Sequence, residues 1–355
     1  MTRRIGLDAT PLLGERTGVG RYAAALLTEL ARSGDDIVAT AFTFHGRDRL
    51  DDIVPAGVTT AGRPVPVSAL HRIWGRAEWP PVETFSGSVD LFHGTNFVLP
   101  PLRQARGVVT IHDLSYLHSP ETVSSASARY RELVPRSLAR AAVVVTPSQA
   151  TADAVRSAYE IDVPVVVTPL GVDAAWTTAQ PPGDALRREL RLPSSYLLFV
   201  GTLEPRKDLR TLLAAHRLLA DAPPLVLVGS RGWGDELDTS GCITTGYLEE
   251  ERLRRVVAGA SALILPSRDE GFGIPVIEAL AAGTPVVASD LPVLREVGGT
   301  VASYAEAGDP GAFAAAIQQV LDSPGDPGPR RTHGAAFTWA RCAEATRAAY
   351  SLALD

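Results

Sequence analysis

Short aliphatic and β-branched runs recur along this chain, and a helical pattern of apolar residues follows most of them. That rhythm constrains the fold more than any other feature. A strand, a crossover helix and a second strand laid beside the first make a parallel βαβ unit. In the first half the runs are Ile5–Asp8, Ile37–Phe44, Leu91–His93, Val108–His112, Val143–Thr146 and Val165–Thr168. Between them, Gly20–Arg32 and Ser125–Ala139 carry apolar residues at three- and four-residue spacing. The second half restarts the rhythm at Tyr196–Gly201, Leu225–Gly229, Ile243–Thr245, Ala262–Pro266 and Pro285–Ala288. The predicted fold class is α/β, with two doubly wound, Rossmann-like domains facing each other across a cleft. A chain of 355 residues is long enough for two. The expected boundaries are residues 1–173, a linker at 174–183 around Pro181-Pro182-Gly183, and 184–334. A last helix at 335–355, after the Pro/Gly-rich stretch 324–329, is expected to pack back toward the first domain. Ligands of such sheets sit outside the carboxyl ends of the strands, so function belongs to the loops that follow them.

Charge and cysteine content exclude several classes. Lys and Arg number 34 against 40 Asp and Glu, for a net charge of −6, so no basic footprint points to nucleic acid. No apolar stretch reaches the roughly 18–20 residues of a membrane span. The opening Met1–Asp8 lacks the apolar run of a signal peptide, which gives a cytoplasmic expectation. Cys242 and Cys342 match no metal spacing and read as small buried residues. Of the 34 cations only Lys207 is lysine.

Four stretches carry chemistry. After the run Ala262–Pro266 comes Ser267-Arg268-Asp269-Glu270-Gly271-Phe272-Gly273-Ile274-Pro275, then a helical pattern containing Glu278. A Gly-rich turn feeding a helix N-terminus presents free N–H groups and partial positive charge, which suits phosphate. Glu270 precedes that helix and Glu278 lies about one turn inside it, so the two reach different parts of one ligand. The second stretch is Gly201-Thr202-Leu203-Glu204-Pro205-Arg206-Lys207-Asp208, where adjacent cations at a strand's carboxyl end can neutralise a diphosphate. The third is Thr110-Ile111-His112-Asp113, a histidine and a carboxylate at a strand end, with Asn96 as a weaker candidate after His93-Gly94-Thr95. The fourth, Thr17-Gly18-Val19-Gly20-Arg21-Tyr22-Ala23, satisfies the dinucleotide pattern G-x-G-x-x-A. About nine residues separate it from the strand end at Asp8, where that fingerprint needs an immediate turn.

Two glutamates with seven residues between them, within Glu270–Ser289, resemble the donor motif of family 4 retaining glycosyltransferases of the two-domain GT-B type (group 1), with mannosyltransferase-like members the nearest in character. The resemblance is strong from Gly201 to Ser289 and weaker elsewhere. It implies that Glu270 contacts the transferred sugar, Glu278 the ribose, and the backbone of Gly271, Phe272, Gly273 and Ile274 the diphosphate. By the same resemblance Gly201, Thr202, Arg206 and Lys207 belong to the donor site, and Gly246, Tyr247 and Leu248 lie against the base. His112 becomes a sugar and transition-state contact. Gly18 lies on a glycine loop facing the diphosphate, with Gly20, Arg21, Tyr22, Asn96 and Asp113 on the acceptor side. This implies a hexosyl transferase acting without cofactor or metal. Its first-choice donor is GDP-mannose, ahead of UDP-glucose, UDP-N-acetylglucosamine and dTDP-rhamnose. The acceptor would be a glycan, a lipid-linked species or a small molecule. A lipid-linked acceptor would bring peripheral contact with the inner face of a membrane. Two other classes remain open on the residues alone: an NAD-dependent oxidoreductase and a two-lobed ligand-binding protein.

Overall fold

Most of the β-branched and aliphatic runs become strands buried on both faces, as parallel sheets covered by helices require; Val165–Val167 and Ile243–Gly246, at sheet edges, are only partly buried. In the computed structural model, residues 2–14, 18–44, 49–124, 127–234 and 237–355 are described. The chain divides into two compact units. The first comprises Met1–Leu117, Ser125–Leu170 and Trp339–Asp355, and the second His118–Ser124 and Gly171–Thr338.

The first unit holds β1 (Arg4–Asp8), β2 (Asp36–Thr40), β3 (Thr59–Ala61), β4 (Leu91–Gly94), β5 (Arg106–Thr110), β6 (Val143–Thr146) and β7 (Val165–Val167). They form a seven-stranded sheet in the order β3-β2-β1-β4-β5-β6-β7. Every pairing is parallel. The order reverses between β1 and β4, the switch point at which such sheets bind ligands. The second unit holds β8 (Leu197–Val200), β9 (Leu225–Val228), β10 (Ile243–Gly246), β11 (Ala262–Leu265), β12 (Val286–Ser289) and β13 (Ser303–Ala305). Its six strands, also all parallel, run β10-β9-β8-β11-β12-β13 and reverse between β8 and β11.

Several expectations shift. The chain passes from first unit to second between Leu170 and Gly171, so residues 174–183 lie inside the second unit rather than between the two. Trp176 within that stretch is fully buried, and Pro182 packs so closely on Gly259 that a Cβ there would meet it at 2.4 Å. Hydrophobic anchoring overrides the linker signal of its prolines. The short segment His118–Ser124 also belongs to the second unit, where Trp233 Nε1 donates to the Thr122 carbonyl at 3.1 Å. The Pro/Gly-rich stretch opens a helix, Pro327–Ala335, because Asp326 caps it by accepting from the Gly328 N–H and proline suits the first turn. The last helix, Trp339–Leu354, belongs to the first unit and buries Cys342, Thr346, Ala349, Tyr350 and Ala353 along one face. Cys342 is buried as expected, whereas Cys242 is only half-buried.

Candidate active site

In the second unit the loops after β8 and β11 flank the switch point. Gly201 leaves β8 with φ of 153°, and a Cβ on Gly229 after β9 would lie 2.0 Å from the Gly201 carbonyl oxygen. The backbones therefore stack without side chains between them. Pro205–Lys207 forms one 3-10 turn, and Asp208 follows in the left-handed region (φ 44°), where Asp and Asn are better tolerated than most residues. Asp208 then caps the helix Leu209–Leu218 through Thr211 and receives Arg268 Nε at 2.8 Å. The Arg268 N–H donates to the Arg206 carbonyl at 2.9 Å, stitching the β11 loop to the cationic turn.

Those stitches bring the predicted residues together. Lys207 Nζ donates to Glu270 Oε1 at 2.6 Å, and Ser267 Oγ donates to the same oxygen at 2.7 Å. Arg206 pairs with buried Glu204 at 2.9 Å, donates to the Asp269 carbonyl at 3.4 Å, and stands 4.0 Å from Glu270 Oε2. Burial works to raise the Glu270 pKa, but Lys207, Arg206 and Ser267 outweigh it and hold the carboxyl below its ordinary value. Glu270 is thus an anion held by two cations.

Gly273 (φ 95°) starts the helix Ile274–Ala282, with Pro275 in the first turn and no side-chain cap. A helix N-terminus without such a cap keeps its N–H groups available to an anion. Phe272 turns inward, edge-on to Phe337 with ring centroids 5.9 Å apart, so this position offers a ligand its backbone only. Glu278 sits one turn into the helix and is fully buried. Gly246 ends β10 with φ of 73° and accepts from the Gly229 N–H at 2.9 Å; Tyr247 is 46% exposed beside it, while Leu248 is buried. Thr202 follows Gly201 half-buried.

In the first unit Gly18 and Gly20 open the helix Gly18–Leu30, with Arg21 half-buried in its first turn. Thr17 lies outside the described residues. The glycines are helical, not a strand-to-helix turn, which removes the dinucleotide fingerprint. Tyr22, expected to face an acceptor, is fully buried instead: its hydroxyl bonds Thr110 Oγ1 at 3.0 Å and its ring meets His112 edge-on at 5.2 Å. Gly20 is buried with it. Both are therefore part of the first unit's interior. His112 Nε2 faces the Thr95 carbonyl at 2.8 Å, and a carbonyl can only accept, so Nε2 carries the hydrogen. Burial lowers the His112 pKa, against the Thr95 bond and Asp113, so the ring is neutral and Nδ1 is a hydrogen-bond acceptor. Asp113 accepts from the Ser115 N–H and hydroxyl at 3.0 and 2.7 Å. Asn96 Nδ2 reaches the Tyr130 hydroxyl at 3.5 Å.

The sequence model of Glycosyltransferase Family 4 matches residues 16–176, and that of Glycosyl transferases group 1 matches residues 194–323. This chain belongs to the family 4, group 1 glycosyltransferases.

Among relatives of this glycosyltransferase is O-antigen chain mannosyltransferase B of Escherichia coli, 29% identical across 96% of this chain and 98% of that protein. An O-antigen chain mannosyltransferase of Salmonella typhimurium is 27% identical across 67% of each. The fold is shared with sucrose-phosphate synthase of Thermosynechococcus elongatus, at a TM-score of 0.78 and 22% identity over 98% of both chains. It is shared also with Anabaena HepE, whose structure holds UDP, at a TM-score of 0.66 and 16% identity over 99% of this chain and 100% of that one. Membership in the family sets aside the oxidoreductase and binding-protein readings. Among the described residues no helix is long and apolar enough to cross a membrane.

Sequence reasoning passed over residues that complete the glycosyltransferase's loops. No motif singles out Ser267 or Glu204, yet they hold Glu270 and Arg206. Asp8, the last residue of β1, lies at the first switch point, and burial raises its carboxyl to about 6 against the smaller opposing effect of Thr10. Its place at a strand's carboxyl end was the available signal.

Proposed function

We propose that this glycosyltransferase moves a hexosyl group, mannosyl first, from a nucleoside diphosphate sugar to a hydroxyl of a glycan, lipid-linked or small-molecule acceptor. We propose also that the anomeric configuration is retained and that no divalent metal is needed. The observation that carries this reading is the Lys207–Glu270–Arg206 cluster at the β8/β11 switch point, beside a helix N-terminus with no side-chain cap. As the bond between the anomeric carbon and the phosphate oxygen breaks, its electron pair passes to the diphosphate. Arg206, Lys207 and the N–H groups of the helix Ile274–Ala282 stabilise that charge. Glu270, released from Lys207 by the incoming phosphate, accepts hydrogen bonds from the sugar's hydroxyls. Neutral His112 accepts another at Nδ1, and Glu278 takes the ribose. The acceptor oxygen attacks on the departing side, and its proton goes to the leaving phosphate oxygen. Mannosyl transfer is favoured by the names of the Escherichia coli and Salmonella typhimurium relatives, with GDP-mannose as first donor. The names of those O-antigen enzymes also favour a glycan acceptor; work in the cytoplasm, at the inner face of a membrane if the acceptor is lipid-linked, belongs to the same proposal.

The test is turnover of GDP-mannose, UDP-glucose, UDP-N-acetylglucosamine and dTDP-rhamnose in EDTA, with the product's anomeric proton read by NMR. Fastest turnover of GDP-mannose and an α-linked product are expected. Activity lost in EDTA and restored by Mn²⁺ or Mg²⁺, or an inverted product, contradicts it.

A further inference from the structure

The loops after β8 and β11 set cations against carboxylates in pairs: Arg206 with Glu204, Lys207 with Glu270 and Arg268 with Asp208. The first two pairs belong to the donor site described above, and the third has no part in it. Asp208 directly follows Lys207, the chain's only lysine. Its side chain is 4% exposed, whereas that of Arg268 is 59% exposed. The Asp208 carboxylate accepts from the Thr211 N–H at 3.4 Å and hydroxyl at 2.8 Å, and Arg268 Nε is its cation partner at 2.8 Å. The Arg268 N–H also donates to the Arg206 carbonyl at 2.9 Å, so one residue of the β11 loop grips the turn on both sides of Lys207. Lys207 itself donates to Glu270 at 2.6 Å.

We infer that Arg268 is a positioning residue: by occupying the Asp208 carboxylate it leaves Lys207 to Glu270, and so to the diphosphate. A buried carboxylate that loses its cation becomes an uncompensated charge. Thr211 and the N-terminus of the helix Leu209–Leu218 offset part of it. The remainder draws in the nearest mobile cation. An ammonium on a flexible stem turns more freely than the Arg206 fork, which Glu204 holds. Without Arg268, Lys207 is therefore shared between Asp208 and Glu270, and the site loses the fixed geometry that a developing charge needs. Asparagine at position 208 removes the competitor. It caps a helix about as well as aspartate and tolerates the left-handed backbone, so it also removes the need for Arg268. The inference rests on the glycosyl-transfer reading above for what Lys207 does, but not for which carboxylate it meets.

A chain with one lysine gives one side-chain signal when that amino acid is isotopically labelled, so NMR reads Lys207 directly. The wild type is compared with Glu270→Gln, Arg268→Ala, Asp208→Asn and the double variant Arg268→Ala/Asp208→Asn, and the melting temperature of each is recorded. Glu270→Gln and Arg268→Ala should each move the lysine signal. Asp208→Asn should return it in the Arg268→Ala background and leave it in place on its own. GDP and UDP are titrated into the same proteins by calorimetry. Affinity for the better-bound nucleotide should fall at least tenfold in Arg268→Ala and recover to within threefold of wild type in the double variant. A merely structural loss would lower the melting temperature and would not be restored by a second substitution. An unmoved lysine signal in Glu270→Gln or Arg268→Ala, unchanged nucleotide affinity in Arg268→Ala, or a double variant no better than Arg268→Ala each overturns the inference. A lysine signal that moves and returns as described, in a chain whose wild type binds neither GDP nor UDP, would instead fail the donor-site reading.

Discussion

At the scale of single residues, Lys207 carries two constraints at once. Its ammonium donates to Glu270 at 2.6 Å, while the Arg206 guanidinium stands 4.0 Å from the same carboxylate. A second planar fork beside the first would crowd those oxygens, whereas an ammonium on a flexible stem fits as a point charge. That is a physical reason for one lysine in a chain otherwise built with arginine. Lys207→Arg keeps the charge, yet is expected to lose at least tenfold in turnover, about 1.4 kcal/mol of transition-state stabilisation, while remaining folded. A wild-type rate would show that only charge matters there. Asp8 makes the opposite kind of prediction, in stability. Its carboxyl is raised from 3.8 to about 6, so between those values the folded chain holds a proton that the unfolded chain has released. Stability from this group is full below 3.8 and is lost as pH rises through 6. Asparagine keeps an acceptor for the Thr10 N–H without the charge. Asp8→Asn should therefore raise Tm by about 2–4 °C at pH 8, roughly 1 kcal/mol after discounting for solvent, and by nothing at pH 3.5. Equal melting at both pH values contradicts the assignment.

At the scale of elements, the helix Ile274–Ala282 depends on the glycine that starts it. Gly273 holds φ at 95°, and a Cβ there would meet Leu294 Cδ2 at 2.7 Å. Gly241 also has positive φ (86°) but lies in open space. Alanine at either should cost about 1–2 kcal/mol from the left-handed backbone alone. Only Gly273→Ala should also weaken nucleoside diphosphate binding, at least tenfold by calorimetry, because it moves the N–H groups proposed to hold the diphosphate. Equal binding by the two variants would remove the helix N-terminus from the site. Much of this was legible beforehand. The hydrophobic runs gave the main strands, and the Gly271-Phe272-Gly273 turn after an aliphatic run placed a helix start. The three-residue strands β3 and β13 were missed, because Thr59–Ala61 and Ser303–Ala305 are too short and too polar to stand out as apolar runs. The linker was misplaced because proline reports local chain direction and not whether Trp176 nearby is buried. Tyr22 was misassigned for a related reason: a motif shows adjacency in sequence, while the side chain turns toward Thr110 and the core.

At the scale of the whole molecule, the chain's last helix completes the unit that its first strand begins. Tyr350 donates or accepts at His93 Nδ1 at 2.7 Å, and His93 Nε2 meets Thr110 Oγ1 at 2.7 Å, which also bonds Tyr22. Burial lowers His93 to about 3, so this buried chain of contacts stays neutral. Removing residues 339–355 exposes that network and the apolar faces around it. The truncated chain should lose the first unit's cooperative melting transition; a transition retained at the same temperature would contradict the helix's part in that core. The central claim, that Glu270 acts on the sugar while other groups of the second unit hold the nucleotide, is tested most directly by Glu270→Ala. Turnover should fall about 10²–10³-fold or more, as for loss of one preorganised electrostatic contact, with nucleoside diphosphate affinity within a few-fold of wild type. A variant that keeps near-full turnover, or that loses nucleotide binding first, would contradict the account.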